Sequence, residues 1–425
     1  MVHSQPVQLL FVNKSVQLSY SISILLCACV HLCVHVFVTK YDHCGVLGTV
    51  DEICPCTYSQ AHGTPFTISP LSTDLGFCGD LQDTEDVPRR QYDGTSFQES
   101  VRLLLEHLKQ VDEVAQTPTH PTISEAEFIG KLKVWNENTT SSPSGLHLGH
   151  YKALIARHKY SDDEDEDFDK RAEWNHMQQE LLTLHVTLLN YALERGYSYS
   201  RWQSIINMIL FKDEDKVKIH RTGVIHIYEA DYNLMLGLKW RVALYQAEAL
   251  QLLNQGQYGS RPRRNAVDPV MIEELQFEIS RLLRRMLLQT NYDVTACYDR
   301  IIPNLVVLVS QKFGVHPNVL AYANARTLQN AKHKVRTELG ISETSYGHSE
   351  EEPIYGSGQG SGNASQIWGF QSSVLFDIYD TPRATPAVYC NPDHSNQFNV
   401  AMIGFVDDIN GQTNMFFAVQ DKSTL

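Results

Sequence analysis

Apolar residues recur at helical spacing along much of the chain. Phe97, Val101, Leu104, Leu105 and Leu108 mark one helix. Leu182, Val186, Leu189 and Leu193 line a face of a longer helix over 180–195, which Gly196 suits as a terminator. Helices are also expected over 151–157, 238–253, 271–283 and 304–313, the last with Pro303 at its start and Gly314 at its close. Ile367, Phe370, Val374, Leu375 and Ile378 give one more, directly after a glycine-rich stretch. Strands are expected over 204–210 and from Met286-Leu287-Leu288 to Asp293. Two apolar runs, 400–404 and 415–419, flank Phe405-Val406-Asp407-Asp408 and read as a β-hairpin. The turn-forming residues Asn410, Gly411, Gln412, Thr413 and Asn414 put its reversal nearby, with the two acids at or near the tip. No internal repeat is apparent.

The adjacent Asp407 and Asp408 carry the first candidate chemistry. Two neighbouring carboxylates repel unless a cation neutralises them, and a divalent metal is the natural candidate. Asp-Asp at a turn is also a common solvated turn, because Asp favours that backbone geometry. Asp293 offers a third carboxylate, which a neighbouring strand would bring to the hairpin. Its own alternative is to cap the helix that follows. Three carboxylates around two Mg²⁺ ions would form a phosphoryl-transfer centre. The glycine-rich stretch holds Gly356, Gly358, Gly360 and Gly362, with Gln359 among them. Opening a helix, it can bring backbone N–H groups close to a phosphate or a base edge. A flexible linker is the plainer reading, which the helix behind it and the embedded glutamine oppose. The Gly-Lys-Ser/Thr ending of a P-loop is missing.

In this order, the three segments resemble the palm of a reverse transcriptase: an aspartate with an aromatic five residues later, a Gln-Gly loop, then aromatic-x-Asp-Asp. Ser142-Pro143-Ser144-Gly145 through Lys152 is similar to the entry motif of the fingers. The segments 225–233 and 257–264 are similar to later finger and finger-to-palm segments. Together they resemble the enzymes encoded by retrotransposons, especially of the non-LTR type, over about residues 120–420. The resemblance implies an α+β right-hand polymerase, with a small antiparallel sheet packed on helices. A helical pre-finger region would span 79–200, the fingers 201–280 and an incomplete palm 281–425, with the thumb absent. The implied activity is RNA-directed DNA synthesis by two-metal nucleotidyl transfer to a primer 3′-hydroxyl. Asp293, Asp407 and Asp408 would hold two Mg²⁺ ions, for which Mn²⁺ could substitute. Tyr298 would lie under the sugar and exclude a 2′-hydroxyl, and Gln359 and Gly360 would face the template and the new base pair. An RNA template, a DNA or RNA primer and deoxynucleoside triphosphates are the implied partners. Gly223 stands where the family places an arginine that grips the triphosphate, so Arg221 or Lys212 would have to replace it. The alternatives are an inactive remnant that only binds nucleic acid, and an RNA-dependent RNA polymerase, against which Tyr298 argues.

Charge complicates this picture. A net charge of −14 sits awkwardly with phosphate binding. Much of it comes from the block of acids over 162–169, read as a solvated insert. The stretch 281–340 instead carries nine Lys or Arg against three Asp or Glu, and Arg261, Arg263 and Arg264 add to it. Residues 1–78 form a segment of uncertain order, and seven of the nine cysteines lie there. Cys27, Cys29, Cys33, Cys44, Cys54 and Cys56 lack the paired spacing of a zinc site. The apolar run 19–38 is barely long enough for a membrane span and contains His31 and His35. An intracellular protein, nuclear or cytoplasmic, is expected. Cys297 reads as a small core residue, and His147 and His150 as local hydrogen-bonding groups.

Overall fold

The computed structural model describes residues 32–39, 99–109, 119–136, 138, 142–156, 168–211, 222–284, 286–294, 297–301, 303–315, 322–348, 354, 356–380, 387–390, 397–400 and 402–415. The fold is mixed, with helices around small sheets. The acid-bearing hairpin pairs β10 (Met402–Phe405) with β11 (Asp408–Met415) at one edge of a four-stranded antiparallel sheet. β4 (Met286–Val294) lies beside β11, and β1 (Leu32–Thr39) lies beside β4. The described part of the N-terminal apolar run is therefore a strand. No helix among the described residues is long and apolar enough to cross a membrane. The rest of the 19–38 run, the cysteines other than Cys33, Cys297 and Cys390, and the acids of 162–167 lie outside the described residues.

The sequence places the hairpin's reversal too late. The chain turns at Val406–Asp407, and Asn410 to Asn414 belong to β11. Along the strand, Asp408 and Asn410 share one face, and Ile409, on the other, enters the core. A turn signal and the polar face of a strand look alike in sequence.

A second sheet was not anticipated. It runs β3 (Thr222–Ile227), β2 (Ser204–Phe211), β5 (Lys332–Thr337), β6 (Gly340–Ile341), with β7 (Tyr346–Gly347) also on β5. β2 and β5 run parallel, which departs from a purely antiparallel arrangement. β8 (Ala387–Cys390) and β9 (Gln397–Val400) form a separate ribbon.

Not every helix begins or ends where its spacing suggests: the one expected over 238–253 runs over Ala230–Ala249. Among the described residues the helices are α1 (Glu99–His107), α2 (Glu125–Val134), α3 (Leu148–Ile155), α4 (Phe168–Arg195), α5 (Ala230–Ala249), α6 (Val267–Leu282), α7 (Pro303–Lys312), α8 (Tyr322–Gln329) and α9 (Ala364–Tyr379). Ser124 and Glu127 form a reciprocal capping box that starts α2. His147 caps α3 through its ring, and His150 contacts the His147 carbonyl, so both act locally. α4 starts twelve residues earlier than the spacing of Leu182 to Leu193 suggests. α9 is buried on nearly every side, and Phe370 stacks on Phe313 of the segment closing α7, centroids 4.5 Å apart. Trp202, Trp240 and Trp368 lie in the same core.

Candidate active site

The two strands carrying the acids are direct neighbours. Asp408 pairs with Asp293 across β11 and β4, at the foot of the two-residue turn that carries Asp407. Directly opposed positions of an antiparallel pair share a face, with Cβ atoms about 5 Å apart. The Asp293 side chain itself lies outside the described residues. Continuing down the shared face, Asn410 opposes Asn291, and Gln289 donates to both Asn291 Oδ1 (3.0 Å) and Asn410 Oδ1 (3.2 Å). Asn410 in turn donates to Glu273 of α6. Burial raises the Glu273 carboxyl above its ordinary range, with smaller contributions from Glu274 and Asp408. On the other face, Tyr292 and Ile409 enter the core.

The turn is held from outside. Val406 has φ +59°, a value β-branched residues seldom adopt. The Trp368 indole N–H of α9 donates to the Val406 carbonyl. The segment 256–258 runs alongside β10: Gly404 N–H donates to Gly256 O (2.9 Å) and Tyr258 N–H to Gly404 O (2.8 Å). A Cβ on Gly259 would stand 2.4 Å from the Val406 nitrogen, so only glycine permits this approach.

Tyr298 and Cys297 lie on a 3₁₀ turn, Cys297–Arg300, that follows β4. Burial, then the charge of Asp407, pushes the Cys297 thiol up to about 12. This thiol is buried in the core, and its raised pKa disfavours the thiolate form. Burial also pushes the Tyr298 phenol up to about 12, with Cys297 and Asp407 adding to it. The Asp407 carboxylate is thus felt at both side chains.

The glycine-rich loop closes on the same turn. Ser357 N–H donates to Tyr298 O (2.8 Å) and Gly356 N–H to Ile301 O (2.6 Å). From the other side, the Tyr228 hydroxyl donates to Ser357 O (2.7 Å) and His226 N–H to Gln359 O (2.7 Å). Asn233 of α5 donates to Gly360 O (3.0 Å) and accepts from Gly362 N–H. Gln359 and Gly360 remain exposed. Asp407, Tyr298 and the Gln359 loop therefore form one continuous constellation.

Below it is a buried charge network that sequence reasoning missed. Arg201 donates to both carboxylate oxygens of Asp231 (2.8 and 2.5 Å) and to Glu229 (2.9 Å). Both carboxylates are fully buried. Glu229 also accepts from the Ser144 N–H and hydroxyl, each at 2.8 Å, and Ser142 Oγ accepts from Ala230 N–H. The Ser142–Gly145 segment is thereby fixed to the start of α5. Arg201 carries no sequence signal, because nothing marks a lone arginine before a strand as the partner of two buried carboxylates. The indole of Trp368 did give one: a buried Trp N–H needs an acceptor.

The basic group at 261–264 is mainly structural. Arg261 is buried and grips Glu248 with two bonds (2.7 and 2.9 Å), while Arg264 donates to Gln255 and lies over the Tyr258 ring at 4.8 Å. Arg263 is exposed. Lys332, Lys334 and Arg336 instead occupy alternate positions of β5, on one face of the second sheet. Gly223 lies within β3 opposite Leu210, while Arg221 and Lys212 are outside the described residues.

Carboxylate oxygens are the donors a hard cation such as Mg²⁺ prefers. After burial, the charges of Asp407 at Cys297 and Tyr298 and of Asp408 at Glu273 raise those groups further, a negative field of the kind a cation would relieve. Among the described residues no three His, Cys, Asp or Glu side chains gather as a metal cluster, a set that leaves out the Asp293 side chain. No protein-family model and no curated protein matches the chain.

Proposed function

We propose that the chain is the fingers and palm of an RNA-directed DNA polymerase of retrotransposon type. One observation carries the reading: the register that pairs Asp293 with Asp408 at the foot of the Asp407 turn. The proximity of Tyr298 to Asp407, and the bonds joining the Tyr298 turn to the Gln359 loop, support it further. In this reading the primer 3′-oxygen attacks the α-phosphorus of a deoxynucleoside triphosphate, and pyrophosphate leaves. Asp293, Asp407 and Asp408 would hold two Mg²⁺ ions, which when bound would activate the hydroxyl and neutralise the leaving group. Tyr298 would exclude the 2′-hydroxyl, and Gln359 with Gly360 would seat the template and the new base pair. Lys332, Lys334 and Arg336 would take backbone phosphates of the RNA template.

A second reading, binding without synthesis, is favoured by Gly223, which leaves β3 without the cation that would grip the triphosphate. Primer extension on an RNA template with Mg²⁺ separates the two. The full chain should extend a DNA or RNA primer with deoxynucleotides, and Asp407→Asn should abolish extension while leaving template binding intact. Template binding with no extension by the unmodified chain would refute the polymerase reading.

A further inference from the structure

α4 has two apolar faces, one buried and one exposed. Leu182, Leu189 and Leu193 are buried in the core. Trp174, Met177, Leu181, Leu184, Leu188 and Tyr191 repeat at intervals of three and four and stand 42 to 55% exposed. At 3.6 residues per turn this second stripe lies roughly 130° round the helix from the buried one. The spacing is that of the a and d positions of a coiled coil, sustained for about 25 Å. Such a seam on a surface marks an interaction site.

The charges beside the stripe say what fits it. Glu173, Glu180 and Glu194 are exposed along one border, at every position of the heptad g row except Thr187. No Lys or Arg occurs between residues 172 and 194, and the acids of 162–167 immediately precede the helix in sequence. Among the described residues, the ion pair of Glu180 is with His176 of its own helix, at 3.4 Å. The opposite border, Gln178 and Ala192, is buried in the core. A second copy of this chain therefore pairs poorly. Antiparallel, it would set the glutamate row against itself. Parallel, it would need the border that the core already covers.

We propose that the outer stripe of α4 docks a separate amphipathic helix of about three heptads, apolar at its a and d positions and flanked by Lys or Arg. The full chain can be titrated with two synthetic helices of about 21 residues, both with Leu at a and d, one with Lys and one with Glu at the flanking positions. Binding is read by calorimetry and by the fluorescence of Trp174, which lies in the seam. The basic helix should bind at least about tenfold more tightly than the acidic one. Glu173→Lys with Glu180→Lys and Glu194→Lys should reverse that preference. Leu184→Asp with Leu188→Asp should abolish binding while leaving the far-UV spectrum and melting temperature unchanged. Equal binding of the two helices, or binding of neither, would overturn the proposal. So would sedimentation showing a dimer of the unmodified chain that the Leu184→Asp, Leu188→Asp variant dissociates, because the occupant would then be a second copy.

Discussion

Replacing Gly358 with alanine should pull the glycine loop away from β3. Gly358 has φ +74°, in the left-handed region, where an L side chain costs about 1–2 kcal/mol. The added Cβ would also stand 1.7 Å from His226 Nδ1 and 2.6 Å from the Tyr228 hydroxyl. His226 has little room to retreat, since its ring packs on Tyr228 and on His333, with centroids 6.2 and 5.6 Å away. Overpacking of this kind costs about 1–3 kcal/mol more. Gly145 is a built-in control. It has φ +85° with nothing within 4 Å of an added Cβ, so Gly145→Ala reports the backbone cost alone. Urea denaturation should therefore show Gly358→Ala to be less stable than Gly145→Ala by about 1–3 kcal/mol. Truncating the obstacle, in Gly358→Ala with His226→Ala, should return part of that difference. On the proposed polymerase reading, primer extension should also fall in Gly358→Ala, because the Gln359 carbonyl loses its bond from His226 N–H. Equal stability of the two glycine variants, or no relief from His226→Ala, would refute the packing described here.

Two further outcomes follow from buried charge. Arg201→Met leaves Glu229 and Asp231 buried without their cation and should cost about 3–5 kcal/mol in denaturant, much of it restored by adding Glu229→Gln and Asp231→Asn. Burial holds both His226 and His333 down at about 4 against an ordinary 6.5, with His226 also lowering His333. The unfolded chain then binds more protons between those values. Stability should be complete above about pH 6.5 and fall as the pH drops towards 4, by up to about 3 kcal/mol per ring. His333→Gln should remove its share of that slope when denaturation midpoints are plotted against pH.

Local pattern made most of the helices and the acid-bearing strands legible, because a single apolar stripe or a short apolar run specifies each, but it left out α2 and α8. It failed where two signals overlapped. The start of α4 is not legible because its large apolar residues there, Trp174 and Met177, belong to the exposed stripe and not to the buried one. The turn was misplaced because Asn410 and Gln412 are the polar face of a strand. β5 went unseen because Lys332, Lys334 and Arg336 give it a basic alternation rather than an apolar one, and its parallel pairing to β2 spans more than a hundred residues. The acids themselves were legible as types, but their convergence depends on a register that no local pattern encodes.

That register also bears on the ambiguity of Asp407-Asp408. A solvated two-residue hairpin turn would normally use Asn-Gly or Gly at the positive-φ position and would need no support. Here a β-branched residue occupies that position, at φ +59°. Backbone strain of this kind costs of the order of 1–3 kcal/mol and persists only where the surroundings over-determine it. The surroundings do so from three directions: the Trp368 indole on the Val406 carbonyl, the bare backbone of Gly259 against its nitrogen, and the 256–258 segment along β10. The direction of Asp407, one residue on, is thus set by α9 and by a segment 150 residues upstream, not by the hairpin's own sequence. A turn held in a strained form by buried, distant groups, with Asp407 at its tip and Asp408 in register with Asp293 at its foot, is specified by the fold around it rather than by its own sequence. The solvated reading accounts for none of those supports.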